Sequence, residues 1–433
     1  MVIFGKNVSF KNIILGLLLL FVFLTPFGFQ TTNYVLALFC LGTLLTKDLY
    51  QKSNWVSVNK VEKIFIIVTL LYCIWCFVSL LWTDNIKRGL QLSGRYVVVF
   101  LLPFFIFLAK ISGIINDRYQ LIIKAFIWGV LFSSVICLIM SFCDCFHYST
   151  DYGTEFYTYW FCENWFESIG LGYNHFSYIH LSHFIHPSYY CLYFIFSLIC
   201  GLHLSFKNRI LKICFVVYCI IFIYLLQSRS CFVALLIISI IFLLLSLRKN
   251  IKKIVVGLCL FILLIGGMIH SNRFNSISSV FHLNAITMSE ADMMNNYVFV
   301  RYVLWKSAFH VINGHYILGV GIGDSDDEIQ RELQLYDIDS SLGTHNQYIY
   351  SLMSMGIIGL LLLLSIFFIA FYCGIKYNKA LLVYFTIAVM VCLFFENMLT
   401  RMAGLMFIPW CIFVLILNSK DEILCLKQSC NMK

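Results

Sequence analysis

Apolar residues in this chain come in long unbroken runs rather than in strict alternation. Runs of roughly 17 to 25 such residues recur along the whole sequence, the length a helix needs to cross about 30 Å of hydrocarbon. Membrane strands would be shorter and would alternate in polarity. The runs predict helices near 12–25, 33–46, 64–82, 93–109, 121–142, 186–206, 210–226, 231–247, 253–269, 347–373, 380–396 and 402–418. Most connections between them are short. Two are not: one of about 143–185 and one of about 270–346, and connections that long are usually functional.

Composition sharpens this reading. Hydrophobic residues make up 61% of the chain and charged residues 12%, with a mean hydropathy of +0.88, whereas soluble domains carry roughly a quarter charged residues. The expectation is an all-α integral membrane protein of about 12 transmembrane helices, with no separate soluble domain and no internal repeat. Lysine and arginine set its direction. With the first span starting inside, 21 of the 30 fall in inward loops, so the positive-inside rule places both termini in the cytoplasm and both long loops outside. The formal charge of +9 is then the sum of a cationic inner face and an anionic outer one, and implies no nucleic-acid partner. A cleaved leader is disfavoured because Thr25-Pro26-Phe27-Gly28 is not a small-x-small site.

The 18 cysteines lie mostly inside apolar runs, where Cys acts as a small buried hydrophobe. Cys143, Cys145 and Cys162 leave one outer disulfide open. No metal site is expected. The first long loop is rich in aromatics, among them Tyr148, Tyr157, Trp160 and Trp165, suited to the membrane interface and to stacking on sugar rings. In the second, Tyr297 to Ile312 reads as an amphipathic helix with Val298, Tyr302, Trp305, Phe309 and Ile312 on one stripe. Gly319-Val320-Gly321-Ile322-Gly323-Asp324 follows. It permits tight turns and close backbone approach but lacks the strand-to-helix frame of a phosphate loop.

Three residues carry candidate chemistry. Arg229 sits in Ser228-Arg229-Ser230, a break between two apolar runs. Arginine is costly there and unfavourable at a helix N-terminus, so an anion would offset it; the alternative is snorkelling to headgroups. Arg301 precedes Trp305 by one turn and is either a bidentate clamp for phosphate or a solvated surface residue. Thr344-His345-Asn346-Gln347 has the form of a capping box before an apolar run. This predicts His345 in the first helical turn, where the dipole favours a neutral imidazole able to act as a base; the alternative is an interfacial histidine. His186, His315, Asp324, Asp326, Asp327, Glu396 and Arg401 are open between a site and solvent, with Glu396 and Arg401 a candidate surface pair.

In chain order, these features resemble the bacterial O-antigen ligase and Wzy polymerase superfamily: Ser228-Arg229-Ser230, Arg301 with Trp305, Gly319-x-Gly321-x-Gly323, Thr344-His345-Asn346 and Gly356-Ile357-Ile358-Gly359. The likeness is sharpest over 228–365. It divides the chain into N-terminal helices (1–227), a ligase-like core (228–373) and C-terminal helices with a tail (374–433). It implies a GT-C-like fold with the large periplasmic loop between spans 9 and 10. It also implies a multi-pass protein of the bacterial inner membrane, without cofactor, nucleotide sugar or metal. The partners implied are an undecaprenyl-diphosphate-linked glycan as donor and, as acceptor, lipid A-core or a growing glycan. Carried over by residue, His345 would be the base, Arg229 and Arg301 would bind the diphosphate, and Ser228, Trp305, Asn346 and Gly321 would support them. The anomeric centre would invert. Asn313-Gly314-His315-Tyr316 replaces the proline many relatives carry before the glycines. Ligase is the favoured reading, Wzy-type polymerase the alternative, and a lipid-linked glycan transporter or flippase the alternative of another class.

Overall fold

The computed structural model describes residues 2–3, 6–7, 9–51, 59–116, 118–145, 174–204, 208–246, 297–334 and 343–417. Apart from one short antiparallel pairing, Val2–Ile3 with Lys6–Asn7, the described residues are helical or in connections. In chain order the helices are α1 Phe10–Leu24, α2 Thr31–Leu44, α3 Lys60–Val78, α4 Ile86–Ile111, α5 Tyr119–Cys145, α6 Pro187–His203, α7 Arg209–Leu226, α8 Arg229–Ser246, α9 Tyr297–Ile312, α10 Ser325–Gln334, α11 Gln347–Lys376, α12 Ala380–Phe395 and α13 Ile408–Leu417. A helical turn, Met402–Leu405, precedes the last.

Eleven of the twelve expected runs coincide with helices; the stretch 253–269 lies outside the described residues, as does 146–173 of the aromatic loop. Among the described residues, six helical stretches are long and apolar enough to cross a membrane: Phe10–Phe27, Lys60–Trp82, Ile86–Ile111, Tyr119–Asp144, Arg209–Leu226 and Gln347–Lys376. Four of them start with a side chain that takes up orphan backbone N–H groups: Asn59 for α3, Asn85 for α4, Asn208 for α7 and Asn346 for α11. At α6 the cap is His186, followed by Pro187, whose missing N–H costs nothing at a first helical position.

The helices pack α1 on α5, α3 on α4 and α11, α12 on α8 and α11, and α6 on α7. Helices α6 and α13 run through the interior, with nearly every side chain buried. Around them Phe407 lies 4.2 Å from Tyr193 and 4.9 Å from Phe126 between ring centres, with Trp410, Phe196 and Phe385 in the same cluster. Large apolar side chains such as Ile67, Leu71 and Ile74 on α3 point outward, as they do where lipid rather than water is the surround. A second, smaller core forms under α9 and α10 from Val303, Leu304, Ala308, Val311, Ile329 and Leu333, closed from below by Tyr350 and Met353 of α11.

That core corrects the expected face of α9. The helix runs over the expected residues, but Tyr302 is 61% and Phe309 52% exposed. The buried face is instead Val303, Leu304, Ala308 and Val311, together with Ile312. The side chain of Val298 lies outside the described residues. The apolar stripe read from spacing is therefore split: Ile312 and Trp305 turn in, while Tyr302 and Phe309 turn out.

Candidate functional site

Helix α11 positions His345, though not as a capping box would. The cap is Asn346, whose side-chain oxygen accepts from the N–H groups of Tyr348 (3.0 Å) and Ile349 (3.1 Å). The Thr344 hydroxyl lies 3.1 Å from both Asn346 O and Asn397 Oδ1. Gln347 does not reach back either: its Nε2 donates to Tyr96 OH at 3.3 Å and its Oε1 accepts from Leu399 N–H at 2.9 Å. His345 therefore sits just before the cap, not in the first turn. Its φ of +46° is a left-handed conformation that non-glycine residues seldom adopt. The flanking bonds of Thr344 and Asn346 hold it there.

The turn after α12 supplies its partner. His345 Nδ1 lies 3.1 Å from Glu396 Oε2, and Glu396 Oε1 lies 3.6 Å from an Arg301 guanidinium nitrogen. Arg301 also donates to Phe395 O at 3.2 Å, and its guanidinium stands 5.8 Å from the centre of the Phe395 ring. One turn on, Trp305 Nε1 donates to Thr344 O at 3.0 Å, so the shared face of Arg301 and Trp305 read from the sequence is what docks α9 onto the site. Glu396 thus joins His345 and Arg301; the expected pair with Arg401 is replaced because α9 brings a guanidinium to the other side of the carboxylate.

Burial would raise the Glu396 carboxyl, but the hydrogen bond from His345 and the charges of His345, Arg301 and His186 outweigh it and hold the group below its ordinary value. An ionised carboxylate only accepts. Nδ1 of His345 accordingly carries a hydrogen, and in the neutral ring Nε2 is left with its lone pair.

Arg229 opens the neighbouring helix. Ser228 and Ser230 beside it are buried, with their hydroxyl oxygens 3.2 Å apart. Cys231 Sγ is 3.8 Å from Cys392 Sγ, one turn before Glu396 on α12. The start of α8 is thereby fastened to the end of α12 that carries the carboxylate. His186, at the start of α6, completes this convergence through its charge on Glu396.

Residues 214–364 match the family model described as O-Antigen ligase. Over these residues the chain is similar to the O-antigen ligase family. The match spans Arg229, Arg301 and His345 and ends before Glu396. No curated protein matches the chain.

Within this ligase-family segment the glycine stretch has a structural explanation. Gly319 (φ +75°) and Gly321 (φ +99°) lie against the chain of α11 where that helix is broken at Gly356 (φ 66°, ψ −170°). Val320 N–H donates to Met353 O at 2.9 Å, Gly321 N–H to Ser354 O at 3.1 Å, and Ile357 N–H to Tyr316 O at 2.8 Å. A Cβ on Gly319 would stand 2.6 Å from Gly356 N, and one on Gly356 would strike the carbonyl oxygen of Ile317. Gly321 packs on Thr83 and meets Ser354, seven residues or about 10 Å beyond the start of α11 at Gln347. The structure thus places Gly321 against Thr83 and the broken part of α11 rather than next to His345.

The acidic run that follows is likewise committed to packing. Asp324 accepts from the N–H groups of Asp84 (2.8 Å) and Asn85 (2.7 Å), Asp327 from Asn85 Nδ2 (2.8 Å), and Asp326 pairs with Arg88 (2.8 Å). Among the described residues no group of histidine, cysteine, aspartate and glutamate is arranged to hold a metal ion. Cys143 is an exposed free thiol; the side chain of Cys145 and all of Cys162 lie outside the described residues. The residue undervalued in the sequence is Glu396. Nothing near it in the chain marks it, since its partners are 51 and 95 residues away.

Proposed function

We propose that this protein transfers a glycan from an undecaprenyl-diphosphate carrier to an acceptor hydroxyl at the periplasmic face of the bacterial inner membrane, with both termini cytoplasmic. The observation that carries the reading is the meeting of Arg301, Glu396 and His345 within hydrogen-bond or ion-pair distance, at the end of the bundle where α8 also begins with Arg229. Lysines gather at the opposite ends of the same helices, at Lys110, Lys376 and Lys379, in keeping with the positive-inside rule.

The chemistry follows from the geometry. Nε2 of His345 takes the proton from the acceptor hydroxyl as its oxygen bonds to the anomeric carbon. Glu396, bonded to Nδ1, fixes the ring and offsets the charge of the imidazolium that forms. The bond from the anomeric carbon to the diphosphate oxygen breaks with its electron pair going to the phosphate. The Arg301 guanidinium, with Arg229, would meet this growing negative charge, which lowers the barrier because contact strengthens toward the transition state. Attack opposite the leaving group inverts the centre. No step calls on a metal.

With lipid A-core as the acceptor this is a ligase; with a second lipid-linked chain it is a Wzy-type polymerase. The test is transfer from synthetic donor by the purified full chain, offered lipid A-core or donor alone. Transfer to lipid A-core supports the ligase, and lengthening of the donor-linked chain the polymerase. Movement of donor across vesicles without transfer would replace both by a transporter.

A further inference from the structure

A cavity of about 860 Å³ opens at the far end of α9 from Arg301, walled by the loop 313–320, the start of α10 and residues 82–84. Its volume falls in the range of small-molecule sites, roughly 300 to 1,000 Å³. Its chemistry is unlike that around Arg301. Among the described residues no lysine or arginine lines it; Asp84, Glu328 and Glu332 do, with His310 and the rings of Trp82 and Tyr316. Glu332 lies 2.8 Å from His310 Nδ1 and Glu328 pairs with Arg331, and each carboxylate keeps further acceptor positions. The Trp82 Nε1 atom is a buried donor with no hydrogen-bond partner among the described residues.

We propose that this cavity is a glycan subsite selective for uncharged or amino-bearing sugars, an assignment that rests on the glycosyl-transfer reading above. Aromatic faces stack on the C–H face of a pyranose, while carboxylates accept from its hydroxyl and ammonium groups. The same carboxylates repel a phosphate or a uronic acid, so the ligand differs from the one the arginines would hold. Arg301 and His310 are on one helix nine residues apart, about 13 Å along its axis but two and a half turns, and so on opposite sides of it. An extended glycan whose diphosphate lies at Arg301 would reach the cavity by passing round α9, and sugars bound there, remote from the reacting bond, are available to orient the reacting end.

The test has a binding arm and a transfer arm, both on the full chain in lipid nanodiscs. Binding of glucose, glucosamine and galacturonate tetramers is measured by saturation-transfer NMR to wild type, His345→Ala, Tyr316→Ala and Glu332→Gln. The glucose and glucosamine tetramers bind wild type and H345A alike, galacturonate does not, and Y316A or E332Q weakens binding about tenfold, the loss of one stacked ring or one charged acceptor. In the transfer arm, Y316A raises KM about tenfold for a donor bearing several sugars, at unchanged kcat, and leaves a single-sugar donor as it was. Tyr316 is exposed, and unfolding would show as a lowered Tm in every assay. Equal binding of all three tetramers, binding of none, or equal effects on long and short donors would overturn the subsite. If no tetramer binds while His345-dependent transfer persists, the subsite falls and the function stands. If wild type transfers nothing, the function falls while the NMR still decides the cavity.

Discussion

The two halves of the segment 297–334 meet the rest of the molecule in opposite ways. Helix α9 arrives through long polar side chains: Arg301 reaches Glu396 and Trp305 reaches Thr344. The glycine stretch arrives through bare backbone, with Gly319 against Gly356 and Gly321 against Thr83. The first contact leaves His345, Arg301 and Glu396 partly exposed; the second has no room for a methyl group. On the proposed reading the first serves chemistry, while the second holds the chain. Substitutions in the first should therefore cost rate without stability, and in the second stability without altering the rate of each folded molecule.

The largest separation is expected at His345. His345→Ala should lower transfer by about 100-fold or more, the usual worth of a positioned base, with Tm near that of wild type; an equal fall in Tm would erase the contrast. Next is Gly356→Ala. The φ and ψ there belong to a region that is essentially glycine's own, and the added Cβ meets Ile317 O. A loss of about 3 kcal/mol is expected, read as a lowered thermal midpoint in nanodiscs, with activity per folded molecule retained. Arg301→Lys keeps a charge but not the planar fork, and about a tenfold loss in kcat/KM is expected, with Arg301→Ala worse. If lysine serves fully, Arg301 acts by charge alone.

The smallest effect is a pH dependence. The Glu396 carboxyl is held below its ordinary value in the fold, so it binds a proton less readily folded than unfolded. Its contribution to stability is present above the unfolded value of about 4.3 and is lost as pH falls through the lowered folded value. The difference in Tm between wild type and Glu396→Gln should accordingly shrink toward acid. A difference that grows toward acid would mean that burial, not the histidine and arginine, governs this carboxyl.

Much of the fold was legible because apolar runs report helices directly, and eleven of them did so. What escaped depended on partners far along the chain. Thr344 and Asn346 are both residues that cap helices, and only the position of Asn397 beside Thr344 decides that Asn346 takes the role. The buried face of α9 is set by α10 and α11, which the spacing within α9 does not know. Glu396 looked like half of a surface pair because Arg401 is its neighbour in sequence, whereas Arg301 is its neighbour in space. The glycines were read correctly as allowing close approach, but what approaches them, the break at Gly356, is visible only in three dimensions.

That break also fixes a height. Beyond Gly356, Ile357–Lys376 alone would rise about 30 Å at 1.5 Å per residue, which is the thickness of the hydrocarbon layer. Gln347–Met355 is surplus length, roughly 13 Å of helix bonded to the 316–321 loop rather than needed for crossing. Were Ile357–Lys376 the crossing segment, His345 would stand above the acyl chains, level with headgroups. A carrier could keep its tail in oil while its diphosphate is lifted to the histidine, and an acceptor would not have to sink into the bilayer to be reached.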